Sequence, residues 1–210
     1  MIRKMLVVAA AAAMPVTALA ATGGFAGAAG PPPINASGLH VSCTGGTSTA
    51  SFKPSLHSTA SAASPETTAI KGTLSGCTAT GGVTVTSATI KGTVTNPSST
   101  HACTGLVGAT TETGNLVITW KTVQKLVSKT TTVAVATITG GAGGNGHGTF
   151  SVQASGASGS FSGNVGTDTT DNQTTATAAA IFATCAGTKG LKSIAVQPDA
   201  NTGNPTVSLG

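Results

Sequence analysis

Apolar and polar residues alternate along the chain, and the clearest alternation covers residues 70–94. Every second residue of a strand points to the same face of a sheet, so Ile70 and Leu74 share one face. A Gly-Gly turn follows, and Ile90 and Val94 face the core from the returning segment. The pattern predicts a central β-hairpin.

The predicted hairpin contains a short duplication. The sequence Ile-Lys-Gly-Thr occurs at residues 70–73 and again at 90–93. A solenoid would continue the period of 20 residues, and no third copy follows, so we interpret the repeat as local to the hairpin. The apolar positions change face near Ser87-Ala88, which predicts a bulge or bend there.

Similar alternation predicts strands elsewhere. In residues 115–127, Leu116, Ile118 and Trp120 fall on one face. Residues 55–66 and the Gly-rich tract 140–148 are typical of loops. For residues 174–182 a strand is expected, with a helical turn over 176–180 as the alternative. The remaining predicted strands cover residues 39–43, 50–54, 130–138, 148–154, 158–165, 193–196 and 206–209.

These elements predict an all-β fold of about ten strands. A single β-sandwich, immunoglobulin-like or jelly-roll-like and carrying two disulfides, is the first choice, and a barrel is the second. Only 7% of the residues are charged, and the mean hydropathy is +0.26. Disordered chains combine low hydrophobicity with high charge, so this composition indicates a folded domain.

The N-terminal segment has the order of a secretory signal peptide. Arg3 and Lys4 precede a short apolar run, and Ala18-Leu19-Ala20 ends it with small residues. We therefore predict a signal peptide at 1–20, a flexible Pro/Gly-rich arm at 21–38 and the β-domain at 39–210. The expected localisation is secreted or extracellular, with association to the cell surface as a possibility, and with no transmembrane segment in the mature chain.

The charge of the mature chain argues against nucleic acid as a partner. Eight lysines and no arginine stand against five acidic residues, which leaves a net charge of +3. Bidentate arginine does most of the base reading in DNA-binding proteins. Scattered lysines are more typical of solvated strand faces. The sequence identifies no partner, and cell-envelope components are kept as a candidate.

Four cysteines in an exported chain predict two disulfides. Three pairings are possible, and zinc is disfavoured because the cysteines are tens of residues apart. In the predicted hairpin, Cys77 lies near the turn and Cys103 lies beyond the opposite end, which disfavours their pairing. We favour Cys43 with Cys77 and Cys103 with Cys185.

The order of features resembles a group of uncharacterised secreted proteins of actinobacteria. The resemblance lies in the Ala-rich signal peptide, an early cysteine, Gly72-Thr73-Leu74-Ser75-Gly76-Cys77, a later cysteine and the strand containing Ile118-Thr119-Trp120. It implies an exported β-domain from a Gram-positive cell envelope, and it carries over no catalytic residue.

The sequence offers little for catalysis. Gly159-Ser160-Phe161-Ser162-Gly163 lacks the spacing and the following helix of a nucleophile elbow. A trio of His57, Asp168 and a serine has no distinguishing pattern. His40, His57, His101 and His147 share no metal-ligand spacing. Asp168 and Asp171 lack the ligand density of a calcium loop, so a turn is favoured over calcium there. We assign no catalytic, cofactor or metal residue.

Three functions follow as hypotheses. The first is a non-enzymatic structural or adhesive protein of the cell envelope. The second is an extracellular binding module for a small apolar ligand or a glycan, and the third is a secreted hydrolase. An apolar pocket inside the domain favours the second over the first, whereas a solid core favours the first.

Overall fold

A computed structural model of the chain describes residues 30–59, 65–96, 102–106, 111–142, 145–162, 170–199 and 207–209. The chain divides into two compact units, residues 1–32 and 33–210, and the second contains the β-domain. The predicted signal peptide at 1–20 and the first part of the predicted arm lie outside the described residues, and both stay predictions.

The described part of the second unit consists mostly of strands, which confirms the all-β class. A 3₁₀ turn at Cys103–Leu106 and one helix, α1 at Ala178–Cys185, accompany nine strands. The strands are β1 Val41–Leu56, β2 Glu66–Ala79, β3 Val85–Asn96, β4 Thr111–Thr122, β5 Thr130–Ala142, β6 His147–Gly159, β7 Thr170–Thr177, β8 Leu191–Pro198 and β9 Val207–Leu209.

The nine strands form one antiparallel sheet that closes on itself. Each strand from β2 to β8 pairs with the next along the chain, and β1 pairs with both β8 and β2. Strands β1–β8 therefore form a closed ring. The short strand β9 pairs with the first residues of β1. Alternate residues of every strand point into the ring, so its opposite sides face each other across a common interior.

The central hairpin is β2 and β3, and its register explains the duplicated sequence. Ile70 lies opposite Gly92, and Ile90 lies opposite Gly72. Each copy of Ile-Lys-Gly-Thr thus pairs with the other, and each isoleucine faces inward beside the glycine of the other copy. A register shift falls between Val85 and Ser87, at the position where the apolar pattern predicts a bulge.

Two predicted breaks between strands are shorter or absent in the structure. One strand, β1 at Val41–Leu56, takes the place of the two expected at 39–43 and 50–54, since Gly45 and Gly46 keep their pairing with β2. The Gly-rich tract at 140–148 contributes to β5 and β6, where Gly140 pairs with Phe150. Glycine is permissive, so a partner strand can hold it in extended conformation.

Other boundaries also differ from the sequence-based expectation. Strand β4 covers Thr111–Thr122 rather than the expected 115–127. Beyond its end, the buried Leu126 forms an isolated bridge with Ile34. β6 extends to Gly159 and so includes the start of the predicted strand at 158–165, whereas residues 160–162 are not in a strand and residues 163–165 lie outside the described residues. The predicted strand at 174–182 ends at Thr177, whose hydroxyl accepts a hydrogen bond from the Ala180 amide and starts α1.

Residues next to Pro33 belong to the folded unit. The Ile34 amide donates to the Lys125 carbonyl at 2.8 Å, and the Phe161 amide donates to the Ala36 carbonyl at 2.7 Å. Ala36 is buried. This part of the predicted arm is therefore fixed to one end of the ring.

Trp120 lies in the core at the same end of the ring. This agrees with the sequence pattern, which places Trp120 on one strand face with Leu116 and Ile118. Its indole N–H donates to the Thr131 hydroxyl at 2.8 Å, and its ring meets Phe161 edge to face with centroids 5.0 Å apart. Such a pair adds about 0.5–1.5 kcal/mol to the burial of the rings. Trp120 is thus a core residue and offers no exposed stacking surface.

Two disulfides join the pairs that the sequence favours. Cys43 and Cys77 face each other directly across β1 and β2. Cys103 and Cys185 connect the 3₁₀ turn to the end of α1, and both are fully buried. In the described part of the chain, neither helix has the length and apolarity needed to cross a membrane.

Candidate functional site: an apolar cavity with an acidic end

The interior of the ring is not completely filled. Inward-facing residues of all nine strands surround a cavity of about 140 Å³. Most of the side chains that line it are apolar, including Ile70, Leu74, Ile90, Leu116, Ile118, Val133, Ile138, Phe150, Val152, Ile194 and Val196. The cavity therefore provides an apolar surface on every side of the ring.

Small residues at inward positions account for the space. Ala50, Gly140 and Ala154 line the cavity, where larger residues would reduce the space. Protein interiors pack at the density of organic crystals, so a void of this size is unusual for a small domain. The sequence thus places short side chains where a solid core would need large ones.

The 3₁₀ turn contributes to the lining at one end of the ring. Gly105 and Leu106 line the cavity together with strand residues. Leu106 and Cys103 belong to a second apolar cluster with Ile181 of α1. The Cys103–Cys185 disulfide ties this turn to the helix, so the position of the turn depends on a covalent bond.

Two glutamates lie at that end. Glu66 begins β2 and lies opposite Asn96, the last residue of β3. Thr95 of β3 pairs with Thr113 of β4, and continuing this register places Asn96 opposite Glu112. Glu66, Asn96 and Glu112 thus occupy one row across three strands, and Glu112 lines the cavity.

Burial makes both carboxyl groups weaker acids. It raises the pKa of Glu112 to about 7, and the neighbouring Glu66 charge adds to the rise while a hydrogen bond with Thr68 opposes it. Burial also raises the pKa of Glu66, against the effect of its own hydrogen bond with Thr68. Loss of hydration disfavours a charged carboxylate in both cases.

Thr68 connects the two carboxyl groups. Its hydroxyl donates to Glu66 Oε1 at 2.9 Å, and it also interacts with the Glu112 carboxyl. A hydroxyl has one hydrogen to donate. At any moment it can therefore donate to only one of the two carboxyl groups, and donation to either one favours the charged form of that group.

No lysine is positioned to neutralise these glutamates. All eight lysines of the second unit are exposed. Glu66 is 2% exposed and faces the ring interior with Thr68. Within the described residues, the acidic end therefore has one buried and one half-buried carboxyl group and no buried lysine.

Of the histidines named from the sequence, the described His40, His57 and His147 do not line the cavity. His147 Nδ1 lies 2.7 Å from the Thr174 carbonyl oxygen, and the His57 carbonyl accepts from the Cys103 amide. His101, Asp168 and the side chain of Asp171 lie outside the described residues, so the calcium question there stays open. Among the described residues, no group of three His, Cys, Asp or Glu side chains is placed to hold a metal ion.

The sequence-based search missed Glu66, Thr68 and Glu112. A signal for Glu112 was present, because it is an even number of residues before the buried Leu116, Ile118 and Trp120. Positions of equal parity in a strand share a face. The alternation therefore placed a carboxyl group on the inner face, in a chain with only five acidic residues.

Comparison with known proteins adds no relative. No family model matches the sequence, and no curated protein or solved structure shows a significant similarity to it.

Proposed function

We propose that the protein is an extracellular binding module that holds a small apolar ligand inside the ring. The observation that supports this proposal is the cavity of about 140 Å³, lined mainly by apolar side chains from every strand. Binding sites for small molecules are concave, mostly apolar and supplied with a few polar groups. The acidic end supplies such groups here.

The size of the cavity sets the size of the ligand. An engineered apolar cavity of about 150 Å³ stays dry and binds benzene or xenon. A molecule with a single six-membered ring, or an aliphatic chain of similar volume, therefore matches the space inside the ring. A glycan is disfavoured, because its many hydroxyl groups would meet apolar side chains without hydrogen-bond partners.

An unfilled cavity is costly for a purely structural role. The side chains that line the cavity lack packing partners on one side and so lose dispersion contacts. A scaffold or adhesive domain gains nothing from that loss. A binding module regains the contacts when a ligand fills the space, which is why the cavity favours the binding function over the structural one.

The extracellular setting of the proposal is supported by the two disulfides. Disulfides persist in oxidising compartments and are rare in the cytosol. Both bonds are integral to the domain, since one joins β1 to β2 and the other holds the 3₁₀ turn. The proposed module binds its ligand without transforming it.

Toluene is a suitable probe for the proposed function. We expect saturable binding, seen as chemical-shift changes of residues that line the cavity and as a higher melting temperature. At a ligand concentration 100 times the Kd, the stabilisation is about 2.7 kcal/mol. The substitution Ala154→Leu extends a side chain into the cavity and should abolish binding.

Ala195→Leu is the matched control, because Ala195 is exposed on β8 and does not line the cavity. It should bind toluene like the unmodified protein. Absence of toluene binding to the folded protein, or equal binding by both variants, would show that the cavity is not a ligand site.

A further inference from the structure

We propose that the cavity is specific for small apolar amines, whose ammonium group pairs with the carboxylate of Glu112 while the hydrocarbon part occupies the apolar space. This inference rests on the binding function proposed above and names the ligand class.

The position of Glu112 gives the first argument. Glu112 lines the same cavity as Leu116 and Ile118, which follow it on the inner face of β4. Among the described residues that line the cavity, it is the only one with a charged side chain. A ligand inside the ring therefore meets apolar surface everywhere except at a few neutral polar groups and one carboxyl group. Charge complementarity at that point requires a cation.

The hydrogen-bond balance of the acidic end gives the second argument. A carboxylate accepts at both oxygens, whereas the Thr68 hydroxyl has one hydrogen to share between Glu66 and Glu112. An ammonium group brings three donors and a positive charge. It can satisfy the Glu112 carboxylate and offset the repulsion from Glu66. A neutral alcohol brings one donor and leaves the charges of both glutamates uncompensated.

The surroundings of Glu112 give the third argument. Glu66 and Thr68 face it from β2, and Asn96 lies between the two glutamates on β3. On β5 its cross-strand partner is Ile138, and the 3₁₀ turn contributes Gly105 and Leu106 to the same cavity. Of these groups only Glu66 is titratable, and a carboxyl group can add only negative charge. The ligand is therefore the natural source of positive charge.

Binding of an amine is expected to be coupled to release of a proton. Without ligand, Glu112 is protonated below a pH of about 7, since that is its pKa. An ammonium ion pairs with the carboxylate and displaces this proton. Amine affinity should therefore rise up to tenfold per pH unit below about 7 and level off above it. Toluene has no charge and should show no such dependence.

Three probes of nearly equal size separate the possibilities: toluene, benzyl alcohol and benzylamine. At pH 8 we expect benzylamine to bind at least tenfold more tightly than the other two, and at pH 6 this advantage should shrink about tenfold. The variant Glu112→Gln keeps the shape of the side chain and removes the charge. Relative to toluene measured on the same variant, it should lose both the preference for benzylamine and its pH dependence.

Glu66→Gln provides a second variant that leaves the charge of Glu112 in place. Because the Glu66 charge contributes to the raised pKa of Glu112, its removal should move the midpoint of the benzylamine pH dependence to lower pH. Far-UV circular dichroism and toluene binding establish that each variant is folded. Glu66→Gln therefore tests whether amine binding depends on the protonation of Glu112, even where Glu112→Gln lowers stability.

The outcomes distinguish the inference from the function on which it rests. If toluene binds and benzylamine binds no more tightly, the amine specificity is wrong and the apolar site stands. If benzyl alcohol matches benzylamine, a neutral hydroxyl suffices and the inference is also wrong. If none of the probes binds, the proposed function fails together with the inference.

Discussion

Glu66 and Glu112 share the single hydroxyl group of Thr68 in the interior of the ring. Thr68 donates to Glu66 Oε1 at 2.9 Å and interacts with Glu112 as well. Loss of hydration and the repulsion between the two carboxyl groups favour the protonated form of Glu112. This relationship makes the folded state sensitive to pH.

The protein without ligand should be more stable at pH 5 than at pH 8. The pKa of Glu112 is about 7 in the folded protein, above its value of 4.5 in the unfolded chain. Between these values the folded state retains a proton that the unfolded state has lost. The free energy of unfolding therefore falls as the pH rises from about 4.5 to about 7, by up to about 3 kcal/mol.

Urea unfolding at the two pH values measures this loss in the unmodified protein and in Glu112→Gln. The variant has no carboxyl group to titrate at this position, so its stability should change much less. Glu66 has a raised pKa and acts in the same direction. An equal loss in the variant would show that Glu112 is not the responsible group.

Thr68→Val should destabilise the protein and make both glutamates weaker acids. Valine has the same shape as threonine and removes the hydroxyl that donates to the buried Glu66. Leaving a buried acceptor without its donor costs about 1–3 kcal/mol. Carbon-13 NMR of the carboxyl groups should show higher pKa values for Glu66 and Glu112.

The matched control is Thr67→Val, because Thr67 is the adjacent residue and faces the opposite side of β2. We expect little change in stability and none in the two pKa values. Identical effects of both substitutions would mean that the Thr68 hydroxyl does not connect the carboxyl groups.

Gly114→Ala should lower the free energy of unfolding by about 2 kcal/mol or more. A Cβ atom at this position would lie 2.6 Å from the Val94 Cα and would also overlap the Thr93 carbonyl oxygen on β3. Backbone atoms cannot move aside as the end of a side chain can, so the two strands would have to separate. Gly38→Ala is the control, since it has no atom within 4 Å of the added Cβ.

Thermal unfolding of both glycine variants provides the measurement. The control should melt close to the unmodified protein. Equal melting temperatures for Gly114→Ala and the unmodified protein would contradict the close approach of β3 and β4.

Removal of the Cys103–Cys185 disulfide should affect both stability and the cavity. The bond closes a loop of 82 residues, for which the chain-entropy model gives about 4 kcal/mol. In the variant with both cysteines changed to alanine, amides of the 3₁₀ turn and α1 should exchange with solvent faster. Toluene should also bind more weakly, because Gly105 and Leu106 line the cavity.

Replacing Cys43 and Cys77 by alanine gives the comparison. That bond closes a loop of 34 residues between adjacent strands, so a similar loss of about 4 kcal/mol is expected. The 3₁₀ turn should keep its slow exchange. Equal protection of the turn in both variants would show that the Cys103–Cys185 bond does not position it.

Strand periodicity made much of the fold predictable. The parity of Leu116, Ile118 and Trp120 identified the buried face of β4, and the change of face near Ser87 matched a register shift. The hairpin of β2 and β3 also follows from the sequence to within about two residues. Local alternation suffices for such features, because it determines which side of a strand meets the core.

Features that depend on distant partners were not predictable in this way. Nothing local to Gly140 indicates that Phe150 holds it in a strand, or that β1 pairs with both β2 and β8. The cavity likewise depends on residues from all nine strands. Short side chains at Ala50 and Ala154 create space only because the ring closes and places them around the same interior.

Closure of the ring has a further consequence for association between copies of the chain. Exposed strand edges with unpaired amides and carbonyls are templates for aggregation, and proteins usually protect them with charged residues. This chain has few charged residues, at 7% of the total. Each strand from β1 to β8 has a partner on both sides, which leaves β9 as the one edge among the nine described strands. Strand pairing rather than charge thus protects the chain from aggregation through its sheet edges.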